Sequence, residues 1–209
     1  MKRNDIYLFV TASLAVIVPA PGRFAYGLVL VLMLNLLMLL GTLFRSLLKR
    51  MLVEDLQPVL VPLFLMTLAI ICKQLLILYS PLMALVLSFV LYMPAVSSLL
   101  IGALYEREKL PLAVSLGENM KESLLFSLYA LAVFLFRDIC GYGTVTLPSA
   151  SGLRIIPVLS GDSSSVALGT FWASIPGAFV LTALMVVVFA HVQKRLDIVR
   201  TSREGSDGQ

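Results

Sequence analysis

The sequence has little charge and few of the residues on which soluble catalytic chemistry depends. Charged residues make up 13% of the 209 positions, whereas soluble domains carry about 25%. There is one histidine, His191, and there are two cysteines, Cys72 and Cys140. The sequence has no P-loop, His-Glu-x-x-His, Cys-x-x-Cys or glycine-rich dinucleotide-binding motif. These absences argue against the nucleotide-dependent and zinc-dependent enzyme classes that such motifs define.

Long apolar runs account for the missing charge. Hydrophobic residues make up 59% of the chain, and about 20 mostly apolar residues in a helix cross a bilayer core about 30 Å thick. The runs lack the strict alternation of barrel strands, which favours helices with internally satisfied amides. We therefore predict an all-α polytopic membrane protein, with a six-helix membrane domain over residues 1–193 and a disordered cytoplasmic tail over 194–209. The six predicted spans cover residues 6–18, 24–48, 56–79, 81–104, 123–139 and 171–193.

Proline interrupts two of these spans. Pro19 and Pro21 end the first span, and Pro94 lies in the middle of the fourth. Proline removes an amide donor and clashes with the preceding turn, so it kinks or opens a helix. If spans one to three and four to six are repeats, the broken helices occupy equivalent places in two inverted three-helix repeats. Membrane transport proteins build midplane sites at such positions, although packing kinks alone would give the same pattern.

The basic residues predict an orientation in the membrane. With six spans, both termini and the loops after spans two and four lie on one side. That side would hold 12 of the 16 Lys and Arg residues, so the positive-inside rule places both termini in the cytoplasm, at the cell inner membrane. These topology signals also account for the net charge of +4, and no nucleic-acid partner is needed to explain it.

Three ionisable residues within or next to the spans are functional candidates, and the two acidic ones are candidates for ion contact. Lys73 lies inside the third span, where a lysine is a functional candidate, but snorkelling of its ammonium to the nearby interface is favoured. Asp138 and Glu106 are the acidic candidates, and helix capping or pairing with the adjacent basic residue is the favoured role of each. Residues 141–169 are predicted to form a long external loop.

Several motifs, taken in order along the chain, resemble those of one membrane-protein family. Residues 93–102 resemble the family's broken fourth helix, in which a proline precedes a glycine. Residues 136–144 resemble an Arg-Glu-x-x-Gly-x-Gly-Thr motif after the fifth helix, and residues 175–179 resemble a Pro-Pro-Gly-Ala-Phe motif that opens the sixth. The chain is thus similar to the membrane subunits of the Rnf electron-transport complex and the sodium-pumping NADH:quinone oxidoreductase (Nqr), in particular the E-type Rnf subunit and its D-type Nqr counterpart.

The same resemblance bears on the first span. Lys2 and Arg3, followed by a short apolar run and small residues near Ala20, are also typical of a cleaved signal peptide. Residues 14–16, Leu-Ala-Val, resemble a motif in the first helix of the family. We therefore expect the first span to remain in the mature protein.

The resemblance also implies a cofactor whose ligands this chain lacks. In the family, the first and fourth helices each carry a cysteine, and pairs from two sister subunits hold a 2Fe–2S iron–sulfur cluster inside the membrane. Aligned on the matching motifs, these cysteines fall on Thr11 and Ser98. Hydroxyls do not replace soft thiolate ligands, and Cys72 and Cys140 lie on other helices. Either the alignment slips or the subunit has lost its half of the cluster site, and the lack of cysteine in both broken helices favours loss.

Two functions are compatible with this pattern. The first is a membrane subunit of an Rnf-type ion-translocating electron-transport (oxidoreductase) complex, with a structural or ion-path role beside the A-type sister subunit and other Rnf-type membrane subunits. The second is a divergent paralogue that transports an ion or small solute without redox chemistry. In both, Thr11, Pro94, Ser97 and Ser98 are the candidate path residues. By itself the chain is expected to bind no cofactor and to form no catalytic site.

Overall fold

A computed structural model describes residues 3–51, 54–106, 111–149, 152–158 and 166–204. The α-helices are α1 (Arg3–Val16), α2 (Phe24–Arg50), α3 (Gln57–Tyr79), α4 (Pro81–Val86), α5 (Met93–Val96), α6 (Ser98–Glu106), α7 (Leu112–Tyr142), α8 (Val166–Ala173) and α9 (Ile175–Glu204). Two strands, β1 (Thr144–Ser149) and β2 (Gly152–Pro157), and two 3₁₀ turns, Glu54–Leu56 and Val90–Tyr92, complete the elements of the described chain.

Among the described residues, three helices are long and apolar enough to cross a membrane, namely α2, α3 and α7. They coincide with the second, third and fifth predicted spans, which confirms a mainly helical chain with helices suited to a membrane. Helix α7 begins at Leu112 rather than at residue 123, because the more polar stretch ahead of the apolar run continues the same helix. Shorter apolar helices cover Val90–Leu104 and Ile175–Val188. The arrangement of six spans as inverted repeats stays a prediction.

Both predicted helix breaks are present, although the fourth segment is not interrupted at Pro94 itself. Helix α1 ends at Val16 and α2 begins at Phe24, with the two prolines between them. In the fourth segment, Pro94 lies in the first turn of α5, where the missing amide is tolerated because it has no helical partner. The fourth segment is interrupted on both sides of Pro94, first in the turn at residues 87–89 after α4 and again at Ser97, which is extended at φ −66° and ψ 139°. Helix α1 packs against α5 and α6, so the two interrupted segments lie side by side.

The sixth predicted span is also interrupted. Helix α8 ends at Ala173 and α9 begins at Ile175, with Ser174 between them. The Ser174 hydroxyl accepts a hydrogen bond from the Gly177 amide at 3.4 Å, which is the usual contact of a residue that caps a helix N-terminus. Helix α9 continues to Glu204, so its end does not coincide with the predicted start of the tail. Disorder of residues 194–209 stays a prediction.

An antiparallel hairpin replaces part of the loop predicted over residues 141–169. Thr144 pairs with Pro157, and Ser149 pairs with Gly152. Helix α7 ends at Tyr142, and the positive φ of 67° at the following Gly143 suits a residue without a side chain. The strands contact α2, α4 and α7. The molecule is therefore mainly helical with one small sheet, and the end of the bundle that carries it is called the hairpin end below.

Helices α2 and α7 form the most extensive helix pair of the described chain. Their close approach depends on Gly27, because a Cβ atom at this position would lie 2.5 Å from Cγ and 2.8 Å from Cβ of Phe134. Phe134 is fully buried, as are Leu30 and Leu34 on the facing helix. This pair forms the centre of the bundle, and it positions the polar side chains described next.

Candidate functional site

Arg137 of α7 joins two of the interrupted segments at the hairpin end. Its side chain is 1% exposed. Nη1 donates hydrogen bonds to the carbonyl oxygens of Ile17 at 3.1 Å and Ala20 at 3.0 Å. Nη2 donates to the carbonyl oxygen of Ala173 at 3.0 Å. The guanidinium therefore connects the break after α1 with the end of α8, and we call these three acceptors the carbonyl cage.

Asp138, the next residue, holds the start of α2 and the hairpin together. It is fully buried. Oδ2 accepts hydrogen bonds from the Phe24 amide at 3.1 Å, from the Thr146 amide at 2.7 Å and from the Thr146 hydroxyl at 2.7 Å. Oδ1 accepts from the Thr144 hydroxyl at 3.1 Å. The carboxylate thus caps the N-terminus of α2, where a negative charge is also favoured by the helix dipole. The described contacts agree with the capping role.

The predicted path residues lie on the two broken segments that pack together. Thr11 is an exposed residue of α1. Pro94 and Ser97 are buried on the fourth segment, where the Ser97 hydroxyl donates to the Pro94 carbonyl oxygen at 2.8 Å. Ser98 opens α6, and its side chain lies outside the described set. Helix packing therefore brings together the segments that carry all four residues, whereas an ion or solute path through them stays a prediction.

Part of this junction is open on the outside. On α1, Leu14 is 41% exposed and lies one turn from the exposed Thr11. On the fourth segment, Val96 is 47% exposed and directly precedes the extended Ser97. We call Thr11, Leu14 and Val96 the open face. Ser97 itself is buried, and its backbone amide and carbonyl are hydrogen-bonded within the fourth segment, so the open face is an exposed apolar surface beside a satisfied break.

Lys73 is turned toward the fourth segment. Its Nζ atom lies 5.3 Å from the centre of the Tyr92 ring, within the range of a cation–π contact. The side chain is half-buried. The Lys73 ammonium therefore has an aromatic partner on a neighbouring segment. The snorkelling interpretation considered only the membrane interface. Sequence reasoning missed it because Tyr92 comes from a separate, irregular segment.

A second polar feature, which sequence reasoning also missed, joins α2 to α7. The Asn35 amide donates to the Ser127 hydroxyl at 2.7 Å and accepts from the Ser123 hydroxyl at 2.9 Å. The Asn119 amide donates to the Thr42 hydroxyl at 3.1 Å. We call these five residues the polar ladder. The four-residue spacing of Asn119, Ser123 and Ser127 places them on one face of α7, which is the signal that could have revealed it.

The polar ladder is expected to contribute modestly to stability. In a double-mutant cycle of Asn35→Ala and Ser127→Ala, we expect a coupling free energy of about 0.6 kcal/mol, because polar contacts between membrane helices average this value. Thermal or denaturant unfolding in detergent measures it. Thr67 on α3 is exposed and bonds only its own helix, at the Leu63 carbonyl, so the cycle of Thr67→Ala with Asn35→Ala should give no coupling. Equal coupling in both cycles would contradict a direct contact.

The remaining candidate residues do not assemble into a metal or cluster site in the part of the chain that the structure describes. No group of three or more His, Cys, Asp or Glu side chains comes together there. Cys72 and Cys140 are both free thiols, on α3 and α7 rather than on the segments that carry Thr11 and Ser97. The donor set at the junction consists of hydroxyl and carbonyl oxygens, which does not fit an iron–sulfur cluster. The side chain of Glu106 lies outside the described residues, and His191 is exposed on α9.

Comparison with known proteins identifies no relative. No protein-family model matches the chain, and a search of curated proteins finds no match.

Proposed function

We propose that the chain is a membrane subunit of an Rnf-type ion-translocating electron-transport complex, in which it has a structural or ion-path role. One observation supports this most directly, namely that the first and fourth segments are both interrupted and pack against each other. The motifs at residues 93–102, 136–144 and 175–179 are the second line of support. In this proposal the six segments cross the cell inner membrane as two inverted three-helix repeats, with both termini in the cytoplasm.

The open face supports a protein partner at the junction. Thr11 presents a hydroxyl group on the outside of α1, and Val96 is exposed beside the extended backbone at Ser97. Helix association in membranes is driven by close packing, which a partner helix laid on the exposed Leu14 and Val96 would supply. The partner we propose is the A-type sister subunit, placed so that its own interrupted helices face these.

The chain contributes no redox centre of its own in this proposal. Thr11 and Ser98 stand where the family carries thiolate ligands, and oxygen ligands of this kind do not hold iron–sulfur clusters. Electron transfer would therefore take place on other subunits, fed by a ferredoxin or NADH module. The hydroxyls of Thr11 and Ser97, with the opened backbone near Pro94, would line the path of the coupled ion.

Purification of the tagged protein from its native membrane in mild detergent tests this function. We expect other Rnf-type membrane subunits to co-purify, and mass spectrometry together with an assay of iron and acid-labile sulfide on the same sample identifies them and any cluster they hold. Recovery of the chain alone and free of iron would contradict the proposal.

A pair of tryptophan variants makes this test specific to the open face. Leu14→Trp places a large ring on the proposed contact, so it should reduce recovery of the partner several-fold. Leu63→Trp is the matched control, because Leu63 is 63% exposed on α3 rather than on either of the two interrupted segments. Equal loss of the partner in both variants would show that the open face is not the contact.

The alternative function is transport of an ion or small solute by a divergent paralogue without redox chemistry. The missing thiolates at Thr11 and Ser98 favour it, because a junction of hydroxyl and carbonyl oxygens suits a hydrated or weakly solvated ion. Under this alternative the purified chain is free of electron-transport subunits. Reconstituted alone into vesicles, it moves an ion or solute, and Ser97→Ala reduces the rate.

A further inference from the structure

The carbonyl cage around Arg137 has the composition of a cation site. Its three acceptors are backbone oxygens within 3.0–3.1 Å of the guanidinium nitrogens. Ile17 follows the last residue of α1, and Ala173 is the last residue of α8. The C-terminal end of a helix carries partial negative charge, and such ends together with unwound carbonyls bind cations inside membrane proteins. The cage therefore stabilises positive charge.

The described residues provide no carboxylate contact for this guanidinium. The neighbouring Asp138 directs its oxygens to Phe24, Thr144 and Thr146. The ring of Phe134 lies 5.9 Å from the guanidinium carbon, on the same helix. Burial of a cation without a counter-ion is costly unless dipoles replace the water that hydrates it. At Arg137 the three carbonyl oxygens and the Phe134 ring take the place of that water.

The cage also fits closely around its occupant. Nε of Arg137 is buried without a hydrogen-bond partner, and a Cβ atom at Gly22 would lie 3.2 Å from it and 3.0 Å from the Ala173 oxygen. A glycine at position 22 thus lets the backbone after α1 close over the guanidinium. The site has the size of a planar cation.

We propose that the carbonyl cage is a monovalent-cation site whose resident ion is the chain's own guanidinium, and that an emptied cage binds a free alkylguanidinium. The bound cation holds the break after α1 against the break between α8 and α9. This inference concerns the cage alone, so it stands whether or not the chain belongs to an electron-transport complex.

Chemical rescue tests the cage. Arg137→Ala removes two carbons and a guanidinium, which is the size of ethylguanidinium. In thermal unfolding of the detergent-solubilised protein, millimolar ethylguanidinium should raise the Tm of Arg137→Ala by about 3 °C or more, because a ligand that binds only the folded state stabilises it. The same salt should not raise the Tm of the wild type. Ethylammonium at equal concentration, which lacks the planar fork of donors, should give a smaller rise or none.

Arg23→Ala is the matched control, since the Arg23 guanidinium lies 4.2 Å from the centre of the Tyr142 ring and not in the carbonyl cage. Its Tm should not respond to ethylguanidinium. If Arg137→Ala folds but responds no more than Arg23→Ala, the proposal is wrong.

A second pair of variants decides the question if Arg137→Ala does not fold. Arg137→Lys keeps a positive charge and three donors, whereas Arg137→Met keeps only a long apolar side chain. We expect the lysine variant to give several-fold more monodisperse protein in size-exclusion chromatography than the methionine variant. A methionine variant that equals or exceeds the lysine variant would show that the carbonyl oxygens need no cation, and would overturn the proposal.

Discussion

Replacement of Asp138 by alanine is expected to lower the free energy of unfolding by about 4 kcal/mol. The carboxylate is fully buried and accepts hydrogen bonds from two backbone amides, those of Phe24 and Thr146. Each buried donor left without a partner costs about 1–3 kcal/mol, and donors to a charged group cost more. Thermal unfolding of the purified protein in detergent measures the loss, and the protein yield should fall with it.

One further variant separates the hydrogen bonds of Asp138 from its charge, and a second is a control at an exposed carboxylate. Asp138→Asn keeps one acceptor oxygen at nearly the same volume, so its loss of stability should be intermediate. Asp55→Ala removes an exposed carboxylate and should change the free energy of unfolding by less than about 0.5 kcal/mol. If Asp138→Ala and Asp55→Ala have similar stability, the buried carboxylate does not hold α2 and the hairpin together.

Addition of a single methyl group at Gly27 is the second change with a large expected effect. The Cβ atom of Gly27→Ala would lie 2.8 Å from Cβ of Phe134, and that atom cannot move without its helix. Relief of the clash therefore requires α2 and α7 to move apart. We expect a loss of about 3 kcal/mol in the free energy of unfolding, at the upper end of the usual cost of overpacking.

Gly117→Ala is the matched control for this prediction. It makes the same change on α7, but a Cβ atom at Gly117 meets no atom within 4 Å, so the higher helix propensity of alanine should leave stability unchanged or improve it. The double variant Gly27→Ala/Phe134→Gly should be more stable than the sum of the two single effects predicts, because removal of the Phe134 side chain together with its Cβ atom makes room for the new methyl group. Strict additivity would contradict the proposed contact.

Much of the helical framework was predictable because it depends on local composition. The apolar runs of α2, α3 and α7 are long enough to identify a membrane helix from sequence alone. The prolines at positions 19, 21 and 94 marked the interrupted segments correctly. The opening at Ser97 was not predictable. The sequence around Pro94 does not show whether the proline lies in the first turn of a helix or in the interior of one.

The candidate site was less predictable because its partners are distant in the chain. The Arg137-Asp138 pair was noticed as part of a motif, but the acceptors of Arg137 belong to Ile17, Ala20 and Ala173. Backbone carbonyls leave no trace in a sequence, so no residue type could have identified the cage. The hairpin was missed for a related reason, since short strands after a membrane helix carry a weak pattern amid Gly, Ser and Pro.

The link between Asp138 and Phe24 has a consequence for the time course of biosynthesis. The two residues are 114 positions apart, and a ribosome that adds about 5–20 residues per second needs roughly 6–23 seconds to make the chain between them. During that interval the first amides of α2 have no carboxylate to cap them. The Asp138 cap of α2 can therefore form only after the fifth segment has been made.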